Sequence, residues 1–230
     1  MSAISDRLVS IRSRLAAAAT AAGRDPSSVE LVAVSKTHPA ESVREAFEAG
    51  QILFGENRVQ ELLAKTPLLP SKLRWHLIGH LQKNKIRKVL PVTELIHGVD
   101  SLELACDIDR IAGELGRFPR VLLEVNVAGE ETKFGFTPNR IRADIDALLA
   151  LPRVQVEGLM TIAPYVENPE DVRPVFRNLR LLRDELTERT GTPLPALSMG
   201  MSGDFEVAIA EGATLVRVGT SIFGERPRPA

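Results

Sequence analysis

Cysteine is nearly missing from this sequence. The chain of 230 residues holds one, Cys106, which excludes an intrachain disulfide and any multi-cysteine metal or iron–sulfur site. That usage fits a reducing, cytoplasmic setting. Net charge is equally scarce. Lys and Arg number 29 against 30 Asp and Glu, a formal net charge of −1. Nucleic-acid binding, whose footprint is a strongly basic domain, is therefore not expected. No stretch approaches the roughly 20 apolar residues that span a bilayer. The alanine-rich run at 16–22 is not a signal-peptide core either. Asp6, Arg7, Arg12 and Arg14 break up what precedes it, and no bulky apolar region follows a basic start.

What is present is ordinary in composition and regular in pattern. Apolar residues make up 44% and charged residues 26%, enough for a sizeable core. Ile4, Leu8, Ile11 and Leu15 recur at helical spacing and Gly23 supplies a stop, so residues 3–22 read as an amphipathic surface helix. Short β-rich runs follow at 31–36, 52–57, 75–79, 94–99, 120–127, 156–163, 196–202 and 214–223. Most are continuously apolar, as strands covered on both faces are. Between them lie helical stripes. Leu104, Ile108, Ile111 and Leu115 form one, and Val172, Phe176, Leu179, Leu182 and Leu186 another. A shorter one holds Phe205, Ala208 and Ile209, with Asp204 and Glu206 near its start and Gly212 just past its end.

Eight strands separated by crossovers predict an α/β fold, a single (β/α)8 TIM barrel with an extra N-terminal helix. The expected organisation is one domain over 1–230, with residues 1–24 packing on the barrel. A doubly wound open sheet is the competitor, but the first βα turn, VSKTHPAES, lacks the G-x-G-x-x-G fingerprint such folds often carry.

A barrel places its site at the C-terminal ends of the strands. Lys36 closes the first apolar run there. Partial desolvation lowers a lysine pKa and makes the amine a nucleophile toward carbonyl groups; the bland alternative is a lysine reaching into solvent. The last two strands end in SMGMSGD (198–204) and RVGTSIFG (217–224). Ser202 and Gly203 open a helix, and Gly219 and Thr220 follow the strand. Backbone N–H groups, a helix N-terminus and hydroxyls together suit a phosphate, although tight turns alone would also call for these glycines. A lysine and a phosphate cup on opposite sides of the barrel mouth suit pyridoxal 5′-phosphate (PLP). Arg217 would then face the pyridine nitrogen and hold it unprotonated, leaving a weak electron sink.

The segments AVSKTHP (33–39), FGENRVQE (54–61), WHLIGHLQKNK (75–85), VNVAGEETKFG (125–135), GLMTIAPY (158–165) and LSMGMSGDFEVAIAEGATLVRVGTSIFGER (197–226) resemble the YggS/PROSC family of PLP homeostasis proteins. The match runs from about Leu31 to Arg226. The resemblance implies a barrel similar to the N-terminal domain of alanine racemase, with PLP held as a Schiff base on Lys36. It further implies that Asn57 contacts the cofactor, that Ser198, Ser202, Gly219 and Thr220 line the phosphate, and that Arg217 faces the ring nitrogen. No departure occurs at these positions. The expected function is participation in intracellular PLP homeostasis without catalytic turnover. The expected partners are PLP and PLP-requiring apo-enzymes, and the expected state is a monomer with no membrane or nucleic-acid contact.

Other readings stay open. Asn57 with Gln60 also fits a helix N-cap and its capping partner. His76 and His80, at i and i+4 on one strand face, could be a metal pair, but a third ligand is not evident. Lys83, Lys85, Arg87 and Lys88 read as a solvated helix face or a weak anion or partner site. Lys133 is a surface lysine or a group closing over the cofactor. A PLP-dependent racemase or lyase is the competing function. It requires an acid and a base on opposite faces of the substrate carbon. In alanine racemases the second group is a tyrosine from a C-terminal domain expected to be absent here, and the sole tyrosine of this chain is Tyr165. A barrel enzyme acting on a phosphorylated sugar would need a proton shuttle near the lysine. Glu56 is the nearest carboxylate in sequence, but alternation turns it away from Asn57.

Overall fold

The structure is a computed structural model that describes residues 2–130 and 134–225. Strands β1 (Glu30–Val34), β2 (Leu53–Glu56), β3 (Arg74–Leu77), β4 (Leu95–Val99), β5 (Arg120–Glu124), β6 (Gln155–Met160), β7 (Ala196–Ser198) and β8 (Leu215–Val218) pair in parallel in chain order. β1 also pairs with β8, with Val32 opposite Arg217 and Ala33 opposite Val218, so the sheet closes. The (β/α)8 barrel is therefore present and the open-sheet alternative is excluded. The helices are α1 (Ala3–Ala21), α2 (Ala40–Glu48), α3 (Val59–Lys65), α4 (Ile86–Val89), α5 (Leu102–Leu115), α6 (Pro138–Leu149), α7 (Arg173–Thr190), α8 (Phe205–Ala210) and α9 (Thr220–Phe223). Among the described residues, no helix is long and apolar enough to cross a membrane.

Strand alternation splits the core in two. Val32, Val34, Leu53, Ile78, Leu95, Leu122, Met160 and Leu215 form a cluster of their own inside the barrel. Leu31, Ala33, Phe54, Leu77, Val121, Leu123, Leu159 and Val216 pack outward under the helices. Each fully buried aliphatic side chain contributes about 1.5–3 kcal/mol, and burial on both faces explains why the strands read as unbroken apolar runs.

Helix α1 is more than a cover. Its buried face of Ile4, Leu8, Ile11, Leu15 and Ala19 packs against α8, α9 and α2. The helix that follows β8, α9, has four residues, and α1 fills the outer-layer gap between α8 and α2. Arg24 fixes its end by donating to Ile209 O and Ala213 O at 2.9 and 2.8 Å, and Arg12 donates to Ala49 O and Gln51 Oε1.

Most predicted strands run past their observed C-terminal ends. The apolar pattern continues there, but the ladder hydrogen bonds stop. The residues beyond the ladder are freed into turns, and these turns form the mouth.

The opposite, N-terminal face is closed differently. Glu30, Arg74, Glu94, Arg120 and Glu157 alternate in sign around it, with Arg74 Nε 2.6 Å from Glu94 Oε2 and Arg120 Nη1 3.1 Å from Glu94 Oε1. A cavity of about 520 Å³ lies among them and reaches His76.

Candidate functional site

At the mouth, β1 ends at Val34 and Lys36 stands in the turn that follows, half-buried. Val32 and Val34 point into the barrel, so alternation puts Lys36 next in the inward row. Its turn is tightly tied. Ser35 N donates to Gly55 O and His38 N to Ser35 O, both at 3.1 Å. Thr37 N donates to Glu61 Oε2 at 2.7 Å.

Barrel closure brings the turns after β7 and β8 to the same place. Gly219 N donates to Ser202 Oγ at 3.4 Å, joining the two turns. A Cβ added at Gly219 would stand 3.1 Å from Val34 O, so the β8 turn lies directly against the end of β1. The lysine and the hydroxyl-bearing turns are therefore neighbours. The expectation that they face each other across the mouth is corrected, because the first and last strands of a closed barrel must pair. Asp204 does not cap α8 with its side chain; its Oδ1 accepts from Met201 N at 2.5 Å and shapes the β7 turn. The helices that begin here have six and four residues, so side chains and turn amides define the place more than any helix axis does.

Arg217 lies on β8, 5% exposed. Its Nη1 donates to Ser198 Oγ at 2.5 Å and its Nη2 to Thr161 O at 2.9 Å. Burial lowers its pKa to about 10, with Glu124 and Asp204 opposing, so the guanidinium stays charged at neutral pH.

Ser198 is buried at the end of β7, and its contacts tie it to Arg217 and to His97 Nδ1 at 2.9 Å. They do not tie it to the Ser202–Gly219 turns where the resemblance puts the phosphate. His97 Nε2 continues to His76 Nδ1, also at 2.9 Å. Ser198 Oγ accepts from Arg217 and shares a further hydrogen bond with His97 Nδ1. His97 and His76 thus form one relay that ends at His76 Nε2. That Nε2 has no hydrogen-bond partner among the described residues. Burial holds both rings neutral, His76 down at about 3 and His97 well below its ordinary range.

Asn57 follows β2, half-buried, in the inward row after Leu53 and Gly55. The capping alternative fails: Arg58 is the N-cap of α3, and no side chain caps that end. Glu56 points outward, fully buried against α3, as alternation requires. His76 and His80 do not meet. His76 is inside the barrel, whereas His80 is past the strand end, 2.9 Å from Asp100 and stacked on Phe134 at 4.4 Å. Among the described residues, no group of three His, Cys, Asp or Glu is placed to hold a metal. Tyr165 is 95% exposed. In the basic cluster, Lys83 pairs with Glu103 and Asp107 and Arg87 with Glu114, as on a solvated face. Lys133 lies outside the described residues.

One mouth residue escapes the sequence reading. Glu124, at the end of β5, is 7% exposed. Burial pushes its carboxyl up to about 7, Asp100 acts in the same direction, and Arg217 and His80 oppose. Its signal, like that of His97, is an ionisable residue inside an otherwise apolar strand.

Known proteins share this barrel. The family described as the alanine racemase N-terminal domain matches residues 7–227. A PLP homeostasis protein of Aquifex aeolicus is 50% identical over 222 residues, covering 96% of this chain and 97% of that one. The structure of PipY from Synechococcus elongatus with PLP bound superposes with a TM-score of 0.85 at 45% identity, covering 96% of this chain and 100% of the other. An alanine racemase of Clostridium difficile shares the fold with a TM-score of 0.71 at 21% identity, over 86% of this chain and 53% of the racemase. With an alanine racemase-like barrel and such identity along nearly its whole length, the chain belongs to the family of pyridoxal phosphate homeostasis proteins.

Proposed function

We propose that this protein binds PLP through Lys36 and takes part in intracellular PLP homeostasis without catalytic turnover. The observation that carries the reading is the closure of the barrel, which sets the Lys36 turn beside the joined Ser202–Gly219 turns and within one strand of the buried Arg217.

The residues fit the cofactor. Ser202 and Thr220 hydroxyls and the Gly219 amide offer donors to a phosphate. Gly219 lies so close to Val34 that a side chain there would crowd the cradle. A guanidinium has five N–H groups and no acceptor, so Arg217 keeps donors to spare beyond Ser198 and Thr161 and complements an unprotonated ring nitrogen. Asn57 lines the same inward row. Ser198 and His97 support Arg217 from behind. When bound, PLP would supply an aldehyde, a group suited to condensation with a lysine amine. Lys36 would provide the amine from its half-buried place in the mouth.

The relatives' names support the non-catalytic reading. The exposure of Tyr165 supports it too, since an opposed proton donor must stand within hydrogen-bond reach of the substrate. Glu124 is the one observation that favours proton-transfer chemistry, because a carboxyl near pKa 7 can move protons at neutral pH. The proposal extends to a monomer in the reducing cytoplasm that delivers PLP to apo-enzymes.

The test is to treat the loaded protein with borohydride and locate the adduct by peptide mass spectrometry. A stoichiometric adduct on Lys36, lost in Lys36→Ala, is expected. An adduct at unchanged stoichiometry in that variant overturns the assignment. Exchange of the alanine α-proton at enzymatic rates, abolished in Lys36→Ala, would overturn the non-catalytic reading.

A further inference from the structure

Behind the Lys36 turn, outside the barrel wall, lies a buried charged cluster. Lys65, on α3, is 7% exposed. Its Nζ donates to Ser35 O at 2.8 Å and to Glu56 Oε1 at 2.5 Å, and stands 3.8 Å from Glu61 Oε2. Glu56 is fully buried, and the same Oε1 accepts from Ser35 Oγ at 2.7 Å. Glu61 accepts from Thr37 N at 2.7 Å.

These contacts converge on the two residues that flank Lys36. Ser35 is held through its hydroxyl and its carbonyl, and Thr37 through its amide. Thr37 has φ +67°, the one left-handed non-glycine residue among those described. A β-branched residue in that region is a genuine outlier. Such strain persists only where the surroundings over-determine the backbone, and it clusters at functional sites. Packing alone accounts poorly for this arrangement. An apolar α3 would cover β1 and β2 without burying two ionised groups, and replacing a buried ion pair with well-packed apolar residues is often neutral or stabilising.

We infer that the Lys65–Glu56–Glu61 cluster is a positioning device for Lys36. It fixes Ser35 and Thr37 from behind so that the side chain between them leaves the strand end in one direction, toward the joined turns after β7 and β8. The three residues touch the mouth at the backbone and side chain of the residues beside Lys36. Lys65 and Glu61 act through the backbone, and Glu56 acts through Ser35 and by neutralising Lys65. The inference rests on Lys36 being the anchor, as proposed above.

The test separates reaction at Lys36 from affinity for the rest of the cofactor. One probe is PLP, with adduct formation followed by absorbance and borohydride trapping. The other is 4′-deoxypyridoxine 5′-phosphate, which has the ring and phosphate but no aldehyde. Glu61→Ala removes the anchor of Thr37 from a partly exposed site, and the paired change Glu56→Gln with Lys65→Met removes both buried charges together. Misplacing a reacting group by about 1 Å can slow a reaction about 100-fold. Each folded variant should therefore react with PLP roughly 10- to 100-fold more slowly than the parent, while binding the deoxy analogue within about 2-fold. Should the paired variant fail to fold, Glu61→Ala decides alone. Unchanged reaction with PLP, or equal weakening toward both probes, overturns the positioning role. A parent protein that forms no adduct at Lys36 overturns the functional proposal itself, and the inference with it.

Discussion

Arg217 Nη1 donates to Ser198 Oγ at 2.5 Å in the barrel interior, and the same hydroxyl shares a hydrogen bond with His97 Nδ1 at 2.9 Å. One hydroxyl thus links the guanidinium assigned to the ring nitrogen with a chain of two neutral imidazoles. Ser198→Ala would strand a charged donor and a buried ring nitrogen, and each unsatisfied buried group costs about 1–3 kcal/mol. Urea unfolding of the apo protein should show a loss of about that size. The loaded variant should also show a shifted cofactor absorption band, because Arg217 loses one of its two constraints. Phosphate competition should be little changed. Strong weakening of phosphate competition with an unmoved band would return Ser198 to the phosphate.

Arg217 itself is best tested by charge reversal. Arg217→Glu places an acceptor where a permanent donor stood, so a protonated ring nitrogen becomes favourable and the absorption of the bound cofactor should change. Because Glu124 and Asp204 both interact with Arg217, the reversed charge also adds repulsion among buried carboxylates. Arg217→Gln is the milder companion. An unchanged spectrum in a folded, loaded Arg217→Glu protein would separate Arg217 from the ring nitrogen.

The turns that meet at the mouth are legible in the sequence, and what is not legible has a physical cause. Lys36, Ser202, Gly219 and Thr220 stand out because they terminate apolar runs, and the barrel rule says which end matters. Their relative placement was not legible, since only the pairing of β1 with β8 makes Val34 and Gly219 neighbours. Lys65 was missed for a related reason. On α3 it looks like any surface lysine near a helix end, and only the packing of α3 on β1 and β2 buries it. His97 and Glu124 were hidden inside apolar strands, where a lone ionisable residue is the signal and the inward alternation its meaning.

Glu124 makes stability depend on pH. In the folded protein its pKa is raised from the ordinary 4.5 to about 7. The folded state therefore holds the proton more tightly than the unfolded chain. Stability from this group is fully present below about pH 4.5, declines as pH rises through the window to 7, and is level above it. The shift corresponds to about 3 kcal/mol at most. Glu124→Gln lacks the titration, so unfolding free energies of the parent and the variant should diverge between pH 5 and pH 8. The variant should gain on the parent as pH rises. A constant difference across that range would show that Glu124 titrates normally.

Two glycines of the mouth should respond differently to alanine, and the contrast tests the cradle. Gly200 has φ +92°, and an added Cβ would stand 2.6 Å from Ala208 Cβ and 3.0 Å from Phe205 Cα. Both the backbone strain and the overlap act on the folded core, so Gly200→Ala should lose about 2 kcal/mol or more, measured by urea unfolding of the apo protein. Gly219 has φ −117°, which alanine adopts freely. Its added Cβ would meet Val34 O at 3.1 Å and Val34 Cβ at 3.4 Å, contacts relieved by a shift of a few tenths of an ångström between β8 and β1. Stability should therefore change by less than about 1 kcal/mol, since removing glycine from the unfolded chain offsets part of the strain. The same small shift moves the Gly219 amide away from the Lys36 turn and changes its spacing to Ser202. Cofactor retention, measured by the rate of PLP loss and by competition with inorganic phosphate, should suffer more in Gly219→Ala than in any variant of equal stability. Normal retention in Gly219→Ala would mean that the β8 turn does not hold the phosphate.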